Sequence, residues 1–307
     1  LYYIIELGIP LQMKKFLNGP WVLILPTIIV LTCVVFLPLL ISLWTSFTPF
    51  KLTKPDTLYK FVGFRNYERL IGDYDFWVAF GRTVLFLTIA LNLELVFGLG
   101  IALLINKITY AQKTLRTLMM FPMMFSPILV GFQWKYIFND NIGLLNNFLR
   151  EFGVINPIPW LVDATLANIS IMAAEIWSST SVFAILLLAG LMGIPKDPIE
   201  AAKVDGCNSW QVFKNITLPF LMPFIFIAMT IRSLDVARAY DIVQMMTGGG
   251  PAKRTELLWT LISRTGYVDA KMGMANAMSY ISIFLSIAFT FFFFYKLMEA
   301  RKILSYD

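Results

Sequence analysis

Arg232, Asp235 and Arg238 recur every three residues near the end of a long hydrophobic segment. At this spacing they share one broad face of a helix, where guanidinium and carboxylate groups can exchange hydrogen bonds. Charged side chains at membrane depth are costly and usually face a cavity or each other. Three interpretations follow: a solvated pathway that contacts substrate hydroxyls, an Arg–Asp pair that locks helices together, or a helix end that reaches the membrane interface.

Other polar side chains interrupt neighbouring hydrophobic segments. Trp177 is followed directly by Ser178, Ser179 and Thr180. An aromatic face can stack on a ligand and hydroxyls can bind its polar groups, so these residues are candidates for a substrate pathway. The alternative is that Ser and Thr only let helices pack closely. The remaining intramembrane polar residues with the same two interpretations are Asn92, Glu94 and Gln133.

The composition is that of a membrane protein. Of the 307 residues, 58% are hydrophobic and 14% are charged, which lies outside the range of soluble domains. The chain has no histidine, and its two cysteines, Cys33 and Cys207, are far apart. We therefore expect no catalytic residue, no metal site and no disulfide framework. The net charge of +6 comes from dispersed basic residues, which indicates contact with membrane lipid and not with nucleic acid.

Six segments are long enough to span a membrane, which requires about 20 apolar residues. They cover residues 21–45, 83–105, 118–138, 166–192, 220–239 and 275–297. Lipid leaves no water to satisfy backbone groups, and runs without alternation are typical of helices and not of barrel strands. The sequence predicts an all-α polytopic membrane protein with six transmembrane helices and no large soluble domain.

A polar island, residues 195–219, separates the fourth and fifth segments. Asp197 is placed to cap a short helix that begins at Pro198, with Glu200 completing a capping box. Gly206 then supplies the stop, in a left-handed backbone conformation.

A second short helix is expected after that glycine. Asn208 is followed three residues later by Gln211, the spacing of a second capping box. Pro219 then opens the next apolar run. The first arm carries two small residues, Ala201 and Ala202, which would let another surface approach the backbone closely. The island is therefore expected to be a helix-turn-helix hairpin that docks against a soluble partner.

This hairpin resembles the EAA signature of the permeases of binding-protein-dependent ABC importers. The matching residues are Glu200, Ala201, Ala202, Asp205, Gly206, Phe213, Ile216, Leu218 and Pro219. Cys207 stands where the family usually has Ala, but it is small and apolar enough to be compatible with docking. The resemblance implies that residues 20–307 form a transmembrane domain like that of type I ABC importers. It also implies that the hairpin is the coupling helix, seated in a groove of a cytoplasmic ATPase.

A glycine-rich segment lies between the fifth and sixth spans. Its residues resemble the D-x-x-x-x-x-T-x-G-G-P signature of carbohydrate-importer permeases, and they are Asp241, Thr247, Gly249, Gly250 and Pro251. Glycines and a proline rule out a continuing helix, so residues 241–255 are expected to form a shaped structural loop. No G-x-x-x-x-G-K-[ST] pattern occurs, so the chain is expected to bind no cofactor, with ATP and Mg²⁺ held by partner subunits.

Two loops on the presumed outer side carry related patterns. Gly63, Asn66 and Tyr67 resemble the G-x-x-N-Y/F segment that precedes the second span in these permeases, where a loop could meet the binding protein. Gly143 and Asn146 form a similar G-x-x-N element, for which a simple turn is an equal alternative.

The orientation follows only in part from charge. Lys107, Lys113 and Arg116 form a loop without acidic residues, as cytoplasmic loops do, and residues 1–19 are expected to form a cytoplasmic N-terminal segment. The loop 47–80 is also rich in basic residues. The cytoplasmic placement of the hairpin therefore depends on the resemblance.

The resemblance implies one subunit of a bacterial ABC importer for a sugar or oligosaccharide, in the cytoplasmic membrane and not itself an enzyme. Its implied partners are a second permease subunit, two ATPase subunits and a periplasmic or lipid-anchored binding protein, working by alternating access. Two alternatives remain open. The paired arginines would also suit an anionic sugar derivative or a glycerol phosphate ester. An ion-coupled secondary transporter is an alternative of another class, against which the polar hairpin argues.

Overall fold

The computed structural model describes residues 21–108 and 110–304. Within these ranges the secondary structure is helical, apart from one isolated bridge between Lys51 and Lys54. The prediction of an all-α fold is confirmed. The predicted N-terminal segment, residues 1–19, lies outside the described residues.

The helices differ widely in length. In chain order they are α1 (Trp21–Leu31), α2 (Leu37–Ser46), α3 (Arg65–Ile71), α4 (Tyr74–Lys107), α5 (Gln112–Met120), α6 (Pro127–Ile137), α7 (Leu144–Glu151), α8 (Ala164–Met192), α9 (Lys196–Val204), α10 (Ser209–Val212), α11 (Leu218–Val236), α12 (Asp241–Met246), α13 (Leu258–Ser263) and α14 (Met272–Leu304). Three wider π-helical segments continue neighbouring helices and cover Thr32–Phe36, Phe213–Thr217 and Arg264–Val268. Short 3₁₀ turns lie at Pro55–Tyr59 and Pro122–Met124.

Among the described residues, five helices are long and apolar enough to cross a membrane. They are Leu23–Ser46, Tyr74–Lys107, Ala164–Met192, Ser209–Val236 and Met272–Arg301. These match five of the six predicted spans, although each helix continues beyond its apolar stretch. Asp73 and Asp163 accept hydrogen bonds from backbone amides in the first turns of α4 and α8, so side-chain caps set where these two helices begin.

The third predicted span, residues 118–138, is not one straight helix. It consists of Gln112–Met124 and Pro127–Ile137, which meet at an angle of 91°. Ser126 has an extended backbone, with ψ of 139°, because the ring of a following proline disfavours the helical conformation. This break was not predicted, since hydropathy reports the length of an apolar run and not its direction.

Two pairs of long helices form the main core: α4 packs along α8, and α11 packs between α8 and α14. Leu87, Phe183, Leu187 and Leu221 are fully buried in this core. The first span instead lies at the periphery, where α2 contacts α14 and most of its apolar side chains are exposed. An exposed apolar helix of this length is suited to lipid. The packing brings three facing spans, α4, α8 and α11, to one line of contact.

The two asparagines predicted in outer loops act as internal anchors. Asn66 is buried and donates to the backbone oxygens of Ser46 and Thr48, each at 2.8 Å. Asn146 is also buried, donates to the backbone oxygens of Asp140 and Ile158, and accepts from the indole of Trp160 at 2.9 Å. Both side chains are buried and hydrogen-bonded within the loops that they stabilise, so neither is available to a partner protein.

Candidate functional site

A buried cluster of charges joins the three facing spans. Arg232 of α11 donates to Glu94 of α4 through two hydrogen bonds, Nε–Oε2 at 3.0 Å and Nη2–Oε1 at 3.1 Å. Arg232 Nη2 also donates to Glu175 Oε1 of α8 at 2.8 Å. The Arg232 side chain is 7% exposed and that of Glu94 is 0% exposed. Such charges are tolerated at membrane depth because each has its partner within hydrogen-bonding distance.

The cluster opens towards solvent at Asp235. Asp235 Oδ2 lies 3.4 Å from Arg232 Nη1, and its Oδ1 lies 3.4 Å from Arg238 Nη2. Asp235 is 51% exposed and Arg238 is 56% exposed. The three charges predicted to act together therefore divide into two groups. Arg232 joins helices, whereas Asp235 and Arg238 face open space.

That space is a cavity of about 600 Å³ beside the break in the third span. Its lining residues are Pro127, Glu175, Ser178, Ser179, Arg232, Asp235, Arg238, Ala239, Tyr240, Asp241, Ile242 and Trp259. Of the residues predicted for the substrate pathway, the structure brings together Ser178, Ser179 and the three charges of α11. Three further lining residues were not predicted from the sequence: Glu175, Tyr240 and Trp259. Glu175 could have been predicted, because an acid in one apolar segment commonly pairs with an arginine in another.

Trp177 and Thr180 do not reach this cavity. They line a second hollow of about 540 Å³, which is mostly apolar and also includes Phe97 and Met119. The Trp177 ring packs edge-on against Trp134, with centroids 5.7 Å apart. Helical geometry explains the separation, because Trp177 and Thr180 are three apart and share a face that Ser178 and Ser179 do not occupy.

The other predicted pathway residues also differ in their surroundings. Glu94 lies beneath the cavity as the partner of Arg232 and does not line it. Gln133 is exposed on α6 and is not among the lining residues. Asn92 is exposed and donates to the backbone oxygen of Thr88, one turn earlier in its own helix.

At the opposite end of the bundle, α9 and α10 form the predicted hairpin. The amide of Gly206 donates to Lys203 O at 3.1 Å, and that of Cys207 donates to Ala202 O at 2.9 Å. Together these bonds form a Schellman motif, which needs a left-handed residue at its centre. Gly206 has φ of +80°, as predicted. The turn is therefore built into the backbone.

Only one of the two predicted capping boxes forms. Asn208 Oδ1 accepts from the amide of Gln211 at 2.9 Å, and Gln211 Oε1 accepts from the amide of Asn208 at 2.8 Å. The box predicted for Asp197 and Glu200 is absent, since α9 begins at Lys196 without a side-chain cap. Asp197 is already helical there, because the chain is extended at Pro195, and a cap residue must stand outside the helix.

The hairpin presents an exposed surface. Glu200, Ala201, Asp205 and Gly206 are exposed, and Ala202 is half-buried. Two large apolar side chains of the hairpin are also exposed, Val204 at 88% and Trp210 at 66%.

The second arm of the hairpin is continuous with the fifth span. Helix α10 passes into the π-helical segment Phe213–Thr217 and then into α11, so that Ser209–Val236 forms one rod. Phe213 is half-buried and stacks on Trp210, with ring centroids 5.6 Å apart. Pro219, predicted to open the next apolar run, lies in the first turn of α11, where a proline ring is tolerated.

The glycine-rich loop lies beside the cavity. Residues Asp241–Met246 are helical and not part of the loop as predicted; the helix ends at Met246 because Gly248 and Gly249 adopt φ of +60° and +90°. Thr255 Oγ1 lies 2.7 Å from Thr247 Oγ1 and donates to Gly250 O at 2.5 Å, so the hydroxyls close the loop just before Pro251.

Two further contacts hold the segment after this loop. Arg264 donates to both carboxylate oxygens of Glu256, at 2.7 and 3.0 Å, and this hydrogen bonding raises the pKa of Arg264 above its usual value. The amide of Leu258 donates to Thr83 Oγ1 of α4 at 2.9 Å. The loop is thus fixed to α4, and Tyr240 and Asp241 stand at the rim of the cavity.

Comparison with known proteins gives the same architecture. A family model described as the binding-protein-dependent transport system inner membrane component matches residues 94–304. A crystal structure of a bacterial ABC transporter involved in the import of the acidic polysaccharide alginate contains a chain with the same fold. That chain has a TM-score of 0.78 and 23% identity, and the match covers 95% of this chain and 99% of that chain.

Two curated proteins are similar in sequence along most of the chain. The probable ABC transporter permease protein y4oQ of Sinorhizobium fredii is 33% identical over 264 residues, which cover 86% of this chain and 85% of that protein. The trehalose/maltose transport system permease protein MalF of Thermococcus litoralis is 34% identical over 273 residues, or 88% of this chain and 90% of that protein. The chain therefore belongs to the family of binding-protein-dependent transport system inner membrane components, a family of multi-pass transport permeases and not of enzymes.

Proposed function

We propose that this chain is one of two permease subunits of an ATP-driven importer, and that a sugar or oligosaccharide passes through the cavity at Asp235. One observation carries this proposal. A single helical rod, Ser209–Val236, runs from the exposed hairpin to Arg232 and Asp235 at the cavity. A soluble partner that moves the hairpin therefore acts directly on a wall of the cavity.

The partners follow from the surfaces that remain exposed. Val204 and Trp210 offer an apolar contact on a hairpin that is otherwise polar, which fits docking to a protein and not burial in lipid. We assign this contact to one of two ATPase subunits on the cytoplasmic side, which would hold ATP and Mg²⁺. We propose that the chain lies in the cytoplasmic (inner) membrane of a bacterium. A periplasmic or lipid-anchored binding protein would deliver the substrate to the opposite end.

The transport cycle would be one of alternating access. Closure of the ATPases on ATP displaces the hairpins of both permease subunits, and the helix bundles rock so that the cavity opens outwards. Hydrolysis then returns the cavity to the inward-facing state. Ser178, Ser179, Asp235 and Arg238 would contact the substrate, because they line the cavity and their polar atoms suit the hydroxyls of a saccharide.

The proposal can be tested with the complete complex, reconstituted in proteoliposomes with its binding protein. We expect uptake of radiolabelled trehalose or maltotriose when ATP fills the compartment of the ATPases, and none with ADP. The isolated chain should hydrolyse no ATP. An ionophore separates the alternatives, since uptake that needs no ATP and collapses with the ion gradients would indicate a secondary transporter and contradict the proposal.

A further inference from the structure

The arginines at the cavity are already paired. Arg232 is bound by Glu94 and Glu175, and Arg238 lies against Asp235. An anionic ligand could recruit either guanidinium only by displacing a carboxylate that holds it now. For Arg232 the displaced carboxylate would remain buried without its partner, and such a loss is strongly unfavourable.

The total charge around the cavity also disfavours an anionic ligand. Three carboxylates line it, those of Glu175, Asp235 and Asp241, against the two guanidinium groups of Arg232 and Arg238. The lining therefore carries one net negative charge. The 2.8 Å hydrogen bond from Arg232 Nη2 to Glu175 Oε1 is typical of an ionised carboxylate, so Glu175 counts as charged.

The uncharged polar groups at the cavity suit a ligand with many hydroxyls. The side chains of Ser178 and Ser179 line it, with their Oγ atoms 3.3 Å apart. Trp259 also lines it, and its Nε1 is a buried donor without a partner among the described residues. These groups can donate to and accept from a saccharide without contributing any charge.

We propose that Glu175 makes the cavity selective for uncharged, polyhydroxylated ligands and unfavourable to anions, an inference that rests on the transport function proposed above. Glu175 lines the cavity and binds Arg232 at 2.8 Å, more closely than Asp235, which lies 3.4 Å from the same guanidinium. It neutralises the guanidinium that an anion would use, and it contributes negative charge at the same place. It is thus a specificity residue, and sugar acids and sugar phosphates are excluded as preferred substrates.

The charge of the cavity can be measured without knowing the substrate. A single reporter cysteine, Ser179→Cys, is introduced into the complete complex in nanodiscs, in a Cys33→Ser, Cys207→Ser background. Its modification rates with cationic and anionic methanethiosulfonate reagents of similar size are compared. Each rate is divided by that of a reference complex with Asn147→Cys, an exposed residue outside the cavity.

We expect the cationic reagent to react faster at position 179, by a normalised ratio on the order of tenfold, since a few unit charges lie close by in a medium of reduced dielectric constant. Glu175→Gln should lower this ratio several-fold. The matched substitution Glu151→Gln, at an exposed acid on α7, should leave it unchanged. If Glu175→Gln fails to assemble, Asp241→Asn removes a lining charge without touching Arg232 and should also lower the ratio.

A ratio at or below one in the assembled complex would overturn the proposal, as would a ratio that Glu175→Gln leaves unchanged in an assembled complex, or that Asp241→Asn leaves unchanged where Glu175→Gln does not assemble. Uptake of trehalose and of trehalose 6-phosphate separates this failure from that of the transport function. If the two sugars are taken up equally well, the proposed charge selectivity is wrong but the proposed transport function is supported. If no saccharide is carried while the reagent ratio holds, the proposed function fails and the measured charge remains.

Discussion

Gly98 of α4 and Phe183 of α8 meet without room for a methyl group between them. A Cβ placed on Gly98 would lie 2.5 Å from Phe183 Cβ and 3.0 Å from the amide nitrogen of Ala184. Phe183 is fully buried. Small residues at such crossings let membrane helices approach closely, and this contact sets the separation of the two helices that hold Glu94 and Glu175.

The first prediction compares Gly98→Ala with Gly100→Ala. Both glycines are in α4, but nothing lies within 4 Å of a Cβ on Gly100. Gly98→Ala should destabilise the subunit by about 1–3 kcal/mol, the usual cost of overpacking, whereas Gly100→Ala should be neutral. Thermal denaturation and the yield of purified complex measure the difference. Equal behaviour of the two variants would contradict the close packing.

The second prediction distinguishes the buried charges that join the helices from the exposed charges at the cavity. Glu94→Gln removes a fully buried partner of Arg232, and loss of one member of such a pair costs about 3–5 kcal/mol, so the yield of assembled complex should fall. Asp235→Asn changes a half-exposed side chain and should leave assembly intact while reducing uptake. Size-exclusion chromatography and uptake are measured for both. Normal assembly of Glu94→Gln would show that the cluster does not hold the spans together.

The third prediction concerns Gly206. No atom lies within 4 Å of a Cβ at this position, so any strain comes from its φ of +80° alone. A β-branched residue costs about 1–2 kcal/mol in that conformation, whereas Asn tolerates it. Gly206→Val should therefore lose uptake and coupled ATPase activity while remaining inserted in the membrane, and Gly206→Asn should retain both. Full activity of Gly206→Val would remove the hairpin from the coupling role.

Glu200→Ala gives a fourth, milder prediction. Glu200 is exposed and makes no cap to α9, so its loss should not change the helix. We expect weaker association with the ATPase subunits, seen as less ATPase retained on purification, and a partial loss of uptake. Unfolding of the hairpin, detected as faster amide exchange in α9, would instead assign Glu200 a structural role.

The fifth prediction tests orientation through Cys207. This thiol is half-buried and lines a hollow of about 480 Å³ between the hairpin and the end of α4. In a Cys33→Ser background, an impermeant thiol reagent should label Cys207 only from the cytoplasmic side, and more slowly when the ATPases are bound. Labelling from outside intact cells would invert the proposed topology.

The sequence was sufficient for the fold class and for the geometry of the hairpin turn. Long apolar runs admit few structures in lipid, and Gly206 and the Asn208–Gln211 box act through bonds a few residues apart. The predicted start of α9, at Pro198, was wrong. The helix begins two residues earlier, directly after Pro195, and no local pattern at Asp197 indicates this.

The site could be predicted only in part. The polar residues of α11 were evident because they interrupt an apolar run. The choice among their interpretations depended on which helices face one another, and spacing along one segment does not contain that information. Glu175 became visible only once α8 lay against α11, and the cavity itself depends on the bend before Pro127. The roles of these residues in substrate passage stay predictions.

The unbroken run from Ser209 to Val236 would act as a lever in the proposed transport cycle. At 1.5 Å per residue, Arg232 lies about 35 Å from the tip of the hairpin, so a tilt of about 5° about that tip would displace it by about 3 Å. This displacement is comparable with a hydrogen-bond length and is enough to break the 2.8 Å contact with Glu175 while the guanidinium follows its own helix. In the proposed cycle, nucleotide-driven motion of the hairpin would thus change which carboxylates hold Arg232 in the buried cluster.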